Sequence, residues 1–357
     1  MMYRICGLLL FIGLPIVAPA QYGQLLNNPD IIWAAEIDIT YSLKPPPATG
    51  SLWENDIVFW KSYDSKNPIQ YEGGEMLMRK ILQAARSGAW PAWQLHNPTA
   101  QLALKAVSDS LDWGENMIVT FDVVTYEESI KIVRDELDPS YFTAIRAKQL
   151  LYFDDKKGEF GLATIAVAPV FRYTKKVQAK NSWEAARDTI LYEHVSFWLK
   201  MPAFSKKTHR KHPDVNNPKI LWAAQIKTLG NSPEPDHVIP LKNTKPTVMQ
   251  ALLDRFRYDP RYQATNFYNE PMPFETREAL FVSTDTMVTY NPETYVETIE
   301  IKRNEIRADD ASQLCLVQNW YWDDRQQRLI IRLERFAPLV ERYYPEWHWP
   351  LFYRRNK

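Results

Sequence analysis

From residue 33 the chain alternates. Trp33, Ala35, Ile37, Ile39, Tyr41 and Leu43 stand against Glu36, Asp38, Thr40 and Ser42, a period of two that predicts a strand with one buried face. Trp222, Ala224 and Ile226 against Gln225 and Lys227 predict the same element later in the chain. Met78, Ile81, Leu82 and Ala85 fall at i, i+3, i+4 and i+7, and Met249, Leu252, Leu253 and Phe256 repeat that spacing, so each predicts an amphipathic helix. Val119, Phe121 and Val123 predict a strand, and a helix is expected after it over Tyr126–Leu137. Gln149–Phe153 leads into the charged turn Asp154-Asp155-Lys156-Lys157-Gly158 and out along Leu162–Val167. Gln318–Trp322 does the same through Asp323-Asp324-Arg325-Gln326 to Leu329–Leu333. Both read as hairpins. The stretches SFWLKMP (196–202) and PLFYRRN (350–356) read as closing strands.

These elements come in pairs because the sequence resembles itself. NNPDIIWAAEI at 27–37 returns as NNPKILWAAQI at 216–226, with eight of eleven positions identical at an offset of 189. IVTFDVVTYEE (118–128) matches MVTYNPETYVE (287–297), and YFDDKK (152–157) matches YWDDRQ (321–326), both at 169. Ala168-Pro169-Val170 matches Ala337-Pro338-Leu339 at that offset. About twenty extra residues are expected in the first copy, around Pro45-Pro46-Pro47. The expected architecture is α+β: two tandem homologous domains, each a mainly antiparallel sheet with one or two packed helices. Their bounds are 27–204 and 216–357. The basic run at 205–215, with Lys206, Lys207, Arg210 and Lys211, is expected to be a solvated linker.

Composition narrows the function. The 357 residues carry 43 basic and 43 acidic side chains, which gives no electrostatic case for nucleic acid or an anionic membrane. Only 11 glycines are present, and neither a dinucleotide fingerprint nor a P-loop occurs. Residues 1–20 have the form of a secretory signal peptide: Arg4, an apolar run from Cys6 to Val17, and Ala18-Pro19-Ala20 as a small-x-small site, with cleavage expected after Ala20. Cys6 lies within the apolar run and not at the cleavage point, so a lipid anchor is not expected. The mature chain keeps one cysteine, Cys315, set in an apolar stretch and expected to be a buried thiol.

Catalytic and metal-binding chemistry finds little footing in the sequence. Of six histidines only His209 and His212 are close, and Lys207, Arg210 and Lys211 around them oppose a metal. The adjacent acids Asp154/Asp155 and Asp323/Asp324 sit on turns, where neighbouring side chains splay, whereas a glycosidase needs two carboxyls facing one bond. No enzyme activity, metal or cofactor is expected. The remaining candidates are aromatic. Trp53, Trp60, Trp90, Trp93, Trp347 and Trp349 are candidate partner contacts, since tryptophan is enriched at protein interfaces; core packing is the alternative for each.

VQNWYWDDRQQRLIIRLERFAPL (317–339) and KQLLYFDDKKGEFGLATIAVAPV (148–170) resemble the GldN/PorN family of Bacteroidetes. So do the openings DIIWAAEIDI and KILWAAQIKT, the closing strands SFWLKMP and PLFYRRN, and MPFETREA at 272–279. The motif positions are Trp33, Tyr152, Asp154, Asp155 and Pro169, then Trp222, Tyr321, Trp322, Asp323, Asp324 and Pro338. Family members carry the unit once and this chain carries it twice. The resemblance implies a non-enzymatic, exported periplasmic assembly protein of type IX secretion and gliding motility. It implies association with a GldK/PorK-like outer-membrane lipoprotein ring and with inner-membrane motor proteins. A periplasmic glycan- or peptidoglycan-binding module using the first-copy tryptophans is the alternative.

Overall fold

The computed structural model describes residues 23, 25–43, 56–61, 73–95, 97, 100–121, 125, 128–136, 138–177, 187–201, 213–229, 238–243, 247–266, 268–311, 313–341 and 348–356. The signal segment 1–20, Pro45–Pro47 and linker residues 205–212 lie outside them.

The alternating run at 33 is strand β1 (Ile31–Ser42), and Ile37, Ile39, Tyr41 and Leu43 are buried as the period requires. β2 (Asp56–Lys61) follows, then helix α1 (Gly73–Arg86), whose Met78, Ile81, Leu82 and Ala85 are all buried. Short β3 (Ala92–Gln94) and α2 (Leu104–Ser110) lead to β4 (Asp112–Phe121) and β5 (Glu128–Glu136). The expected hairpin is β6 (Ala144–Asp154) with β7 (Glu159–Val177), and β8 (Arg187–Val195) and β9 (Phe197–Lys200) complete the N-terminal half. The C-terminal half runs β10 (Ile220–Leu229), β11 (Val238–Asn243), α3 (Val248–Tyr258), α4 (Glu278–Phe281), β12 (Val282–Tyr290), β13 (Glu297–Glu305), β14 (Gln313–Asp323), β15 (Arg328–Glu341), β16 (His348–Pro350) and β17 (Arg354–Arg355). Helix α3 starts where Thr247 Oγ1 accepts from the Gln250 amide at 3.2 Å, the usual role of an N-cap threonine.

One expectation is corrected. The segment from Tyr126 to Leu137 is not helical where it is described, because Glu128–Glu136 is β5, paired antiparallel with β4. Ile130 and Ile132 flank Lys131 at a strand period, and Ile130, Ile132 and Val133 favour strand over helix.

The strands form antiparallel sheets, in keeping with an α+β fold. One sheet has the order β11-β1-β6-β7-β9-β3, with β8 also on β7; the other has the order β16-β15-β14-β10-β2, with β17 also on β15. The registers correspond residue for residue. β1 and β6 slip between Ile31 and Trp33, as β10 and β14 slip between Ile220 and Trp222. β6 and β7 slip between Lys148 and Gln149, as β14 and β15 slip between Val317 and Gln318. Pro169 pairs with Ile145 as Pro338 pairs with Leu314.

The outermost strands are exchanged. β2, from the N-terminal half, pairs with β10 of the C-terminal half, with Ala224 opposite Phe59. β11, from the C-terminal half, pairs with β1, with Ala35 opposite Pro240. Each sheet thus ends in a strand supplied by the other half. Between the sheets lies one contiguous apolar cluster fed from both. Tyr41 meets Trp320 with ring centroids 4.9 Å apart, and Phe160 meets Phe336 at 4.8 Å.

Candidate interaction surfaces

The paired acids of the two hairpin turns divide their work the same way in each half. Asp154 Oδ1 accepts from the Lys157 amide and Asp323 Oδ1 from the Gln326 amide, both at 3.1 Å, closing the turns. The second acid of each pair reaches across to the opposite half. Arg255 on α3 binds Asp155 at 3.2 Å, and Lys80 on α1 binds Asp324 at 3.0 Å. Gly158 has φ +64, a left-handed conformation suited to glycine, and its carbonyl accepts from the Tyr262 hydroxyl at 3.2 Å. Partial burial raises the Asp324 carboxyl, but Lys80, with Trp322 Nε1 and Gln327 Nε2, outweighs this and holds it below its ordinary 3.8. These carboxylates are occupied by turn amides and by cations of the opposite half, so they fasten one half to the other.

Two of the three motif tryptophans, Trp222 and Trp322, also reach across to the opposite half. Trp222 is fully buried, and its Nε1 donates to the Gly73 carbonyl at 2.6 Å, at the start of α1. Trp322 is buried against Trp90 at 5.5 Å. Trp33 is half-buried, edge-on to Phe160 at 6.2 Å. Tyr152 lies opposite Gly161, and Tyr321 is buried on β14. Cys315 is buried, and desolvation pushes its thiol up to about 11.

Among the candidate partner contacts, Trp90 departs from expectation. It is 2% exposed and its Nε1 donates to the Gln327 carbonyl at 2.8 Å, so it is core. Trp60 on β2 is 40% exposed, with its ring 6.2 Å from Tyr321. Trp93 is half-buried with Lys200 Nζ over its ring at 5.5 Å. Trp349 occupies β16 opposite Val340. Trp53 and Trp347 lie outside the described residues.

The surface that sequence reasoning missed is a pair of two-stranded ribbons, β4–β5 and β12–β13, neither joined to a larger sheet among the described residues. Residues paired across an antiparallel ribbon share a face. In the second ribbon Thr286/Ile301, Val288/Ile299 and Tyr290/Glu297 share one face, and Asp285/Lys302, Met287/Glu300 and Thr289/Thr298 share the other. Val288, Tyr290, Ile299 and Ile301 are 54–68% exposed. At the tip, Tyr295 packs edge-on to Tyr290 at 5.9 Å. In the first ribbon the corresponding register positions are Met117/Ile132, Val119/Ile130 and Phe121/Glu128, and Val119 and Ile130 are 50% and 61% exposed. Val119 and Ile130 in one ribbon and Val288 and Ile299 in the other thus stand exposed at matching register positions. The signal was available as the period-two pattern around Ile130 and Ile299.

The fold is α+β, built on antiparallel sheets. Residues 58–223 match the family model described as Gliding motility associated protein GldN, a segment opening in β2 and closing in β10. Over that segment the chain is similar to the GldN family. No curated protein matches the chain. Among the described residues, no helix is long and apolar enough to cross a membrane.

Proposed function

We propose that this GldN-family component of gliding motility and type IX secretion is a non-enzymatic periplasmic scaffold formed by tandem duplication of a GldN-like unit. Residues 1–20 export it, and it associates with a GldK/PorK-like outer-membrane lipoprotein and with inner-membrane motor proteins. The family match over residues 58–223 is the observation that carries the reading. The corresponding registers of β1-β6-β7 and β10-β14-β15 support the duplication. The engagement of Asp155 and Asp324 by cations of the opposite half supports a mechanical role for those acids. Exchanged strands and reciprocal turn contacts make the two halves one unit, and each half carries one ribbon. Two attachment points on one chain raise the effective concentration of the second once the first has bound.

The test is affinity purification of the tagged chain from gently solubilised native envelopes, followed by mass spectrometry. Recovery of the lipoprotein or motor proteins is the expected result. A chain recovered alone, from envelopes in which the machine stays intact, contradicts it.

A further inference from the structure

The second ribbon stands clear of the sheets. From Thr284 to Arg303 every side chain described is exposed, and burial resumes at the root. There Phe281 is 2% exposed and packs on Phe256 of α3, with ring centroids 5.8 Å apart. The Ile306 amide donates to the Phe281 carbonyl at 2.8 Å, so both strands leave the body at one point. A single side chain spans that point. Arg257, in the last turn of α3, donates through Nε to Glu278 Oε2 at 2.6 Å and through Nη1 to Glu305 Oε1 at 2.7 Å. Glu278 opens α4, which runs straight into β12, and Glu305 ends β13, so one guanidinium grips both legs of the ribbon. It also lies over the Phe281 ring at 5.1 Å. Beside it is a cleft of about 310 Å³, walled by Leu253, Asp254 and Tyr258 on α3 and by Ile306, Ala308 and Asp309 at the foot of the ribbon. The first half repeats the placement. Arg86 follows Ala85 as Arg257 follows Phe256, and its Nη2 donates at 3.2 Å to the carbonyl of Leu111, the residue before β4 as Phe281 is the residue before β12.

We infer that Arg257 is a clasp that sets the direction of the second ribbon, and that the ribbon pivots at Phe281 and Ile306, over the adjoining cleft, when the clasp opens. A planar fork bonded to two carboxylates fixes an angle that a point charge cannot. The grip is also one that can be released. The Arg257 side chain is 16% exposed, but those of Glu278 and Glu305 are 55% and 42% exposed, and ion pairs open to water on one side are individually weak. Breaking them leaves Phe281 packed and the strands paired, so the ribbon turns as a rigid arm. Hinges of this kind sit at the ends of elements, where few residues absorb the change. Arg257 is thus a positioning residue: it touches no partner and acts by aiming the surface that does. The inference goes beyond the scaffold reading and concerns the chain alone, so neither result decides the other.

Distances between two spin labels on the purified chain from residue 21 onward test it. The labels sit at Glu293→Cys near the ribbon tip and Arg261→Cys on the body, both exposed, while the buried Cys315 stays unlabelled. The parent should give one narrow distance distribution. Arg257→Met keeps the stem over Phe281 and removes the fork, and should widen the distribution roughly twofold with the melting temperature of the body unchanged. Arg257→Lys should widen it too, because one ammonium cannot hold both carboxylates in a fixed geometry. Glu278→Gln/Glu305→Gln opens the clasp from its exposed side without touching the core, and should do the same. Arg86→Met, at the root of the other ribbon, should leave this distribution narrow. A parent that is already broad overturns the inference. So does a distribution that stays narrow in Glu278→Gln/Glu305→Gln or in folded Arg257→Met, and so does equal broadening by Arg86→Met.

Discussion

The side-chain amides of Gln149 and Gln318 hydrogen-bond to each other in the interior, Gln149 Nε2 donating to Gln318 Oε1 at 3.2 Å. They stand 169 positions apart, each at the slip of its own hairpin, so they mark where the two sheets face one another. Tyr41 completes the cluster: its hydroxyl donates to Gln149 Oε1 at 2.6 Å and accepts from Gln318 Nε2 at 2.8 Å. Trp320 Nε1 donates to Gln318 Oε1 at 3.1 Å. Burial raises the Tyr41 hydroxyl well above its ordinary value, so it stays a neutral donor throughout the physiological range. A buried polar network of this kind is costly when half satisfied.

Tyr41→Phe removes the hydroxyl and leaves Gln149 Oε1 and Gln318 Nε2 with weaker partners. The expected loss is about 1–3 kcal/mol of folding stability, read as a lower urea midpoint. Adding Gln149→Leu to Tyr41→Phe should cost less than the sum of the two, because the residues share one network.

The exchanged strands predict that the halves depend on each other. Residues 27–204 expressed alone would leave β1 without β11, and residues 216–357 alone would leave β10 without β2. Each should be insoluble or loosely packed alone, and co-expression should restore a soluble complex that survives size exclusion. A well-folded, monomeric single half contradicts this.

The Lys80–Asp324 pair predicts a pH dependence. Because the folded carboxyl titrates below its ordinary 3.8, its contribution is present above that value and is lost as pH falls through the lower folded one;. Partial exposure keeps the effect to about 1 kcal/mol or less. Asp324→Asn should therefore lower the urea midpoint at pH 7 and converge with wild type as pH falls through the lowered folded value;. A difference that stays constant between those values would remove the ion pair as its cause.

Gly161 lies directly under the Tyr152 ring, where a Cβ would collide with the ring carbons and hydroxyl. An aromatic covering a cross-strand glycine in this way shields the sheet from slippage. Gly161→Val should cost about 1–3 kcal/mol through the displaced ring, checked by thermal melting. Tyr152→Ala combined with it should recover part of the loss.

Much of the fold was legible because its signals are local. The period-two runs at Trp33 and Trp222, the helical spacing at Met78 and Met249, and the Asp-Asp turns all sit where they were expected. Strand exchange was not legible, since nothing in DIVFWK or VIPLKN says which sheet receives it. Tryptophan burial was equally hidden: Trp60 is 40% exposed and Trp90 is 2% exposed, and only tertiary contacts separate them. The second strand of the first ribbon was misread because its charged residues at Glu127, Glu128 and Lys131 also suit a helix surface, and its pairing with β4 is not written in the local pattern.

The most direct test of the central claim is secretion itself, measured in native cells that lack this chain. Loss of cargo export and of surface spreading is expected, restored by the full chain and not by one carrying Val119→Lys, Ile130→Lys, Ile299→Lys and Ile301→Lys together. Unchanged export and spreading in cells without the chain would contradict a role in that machinery.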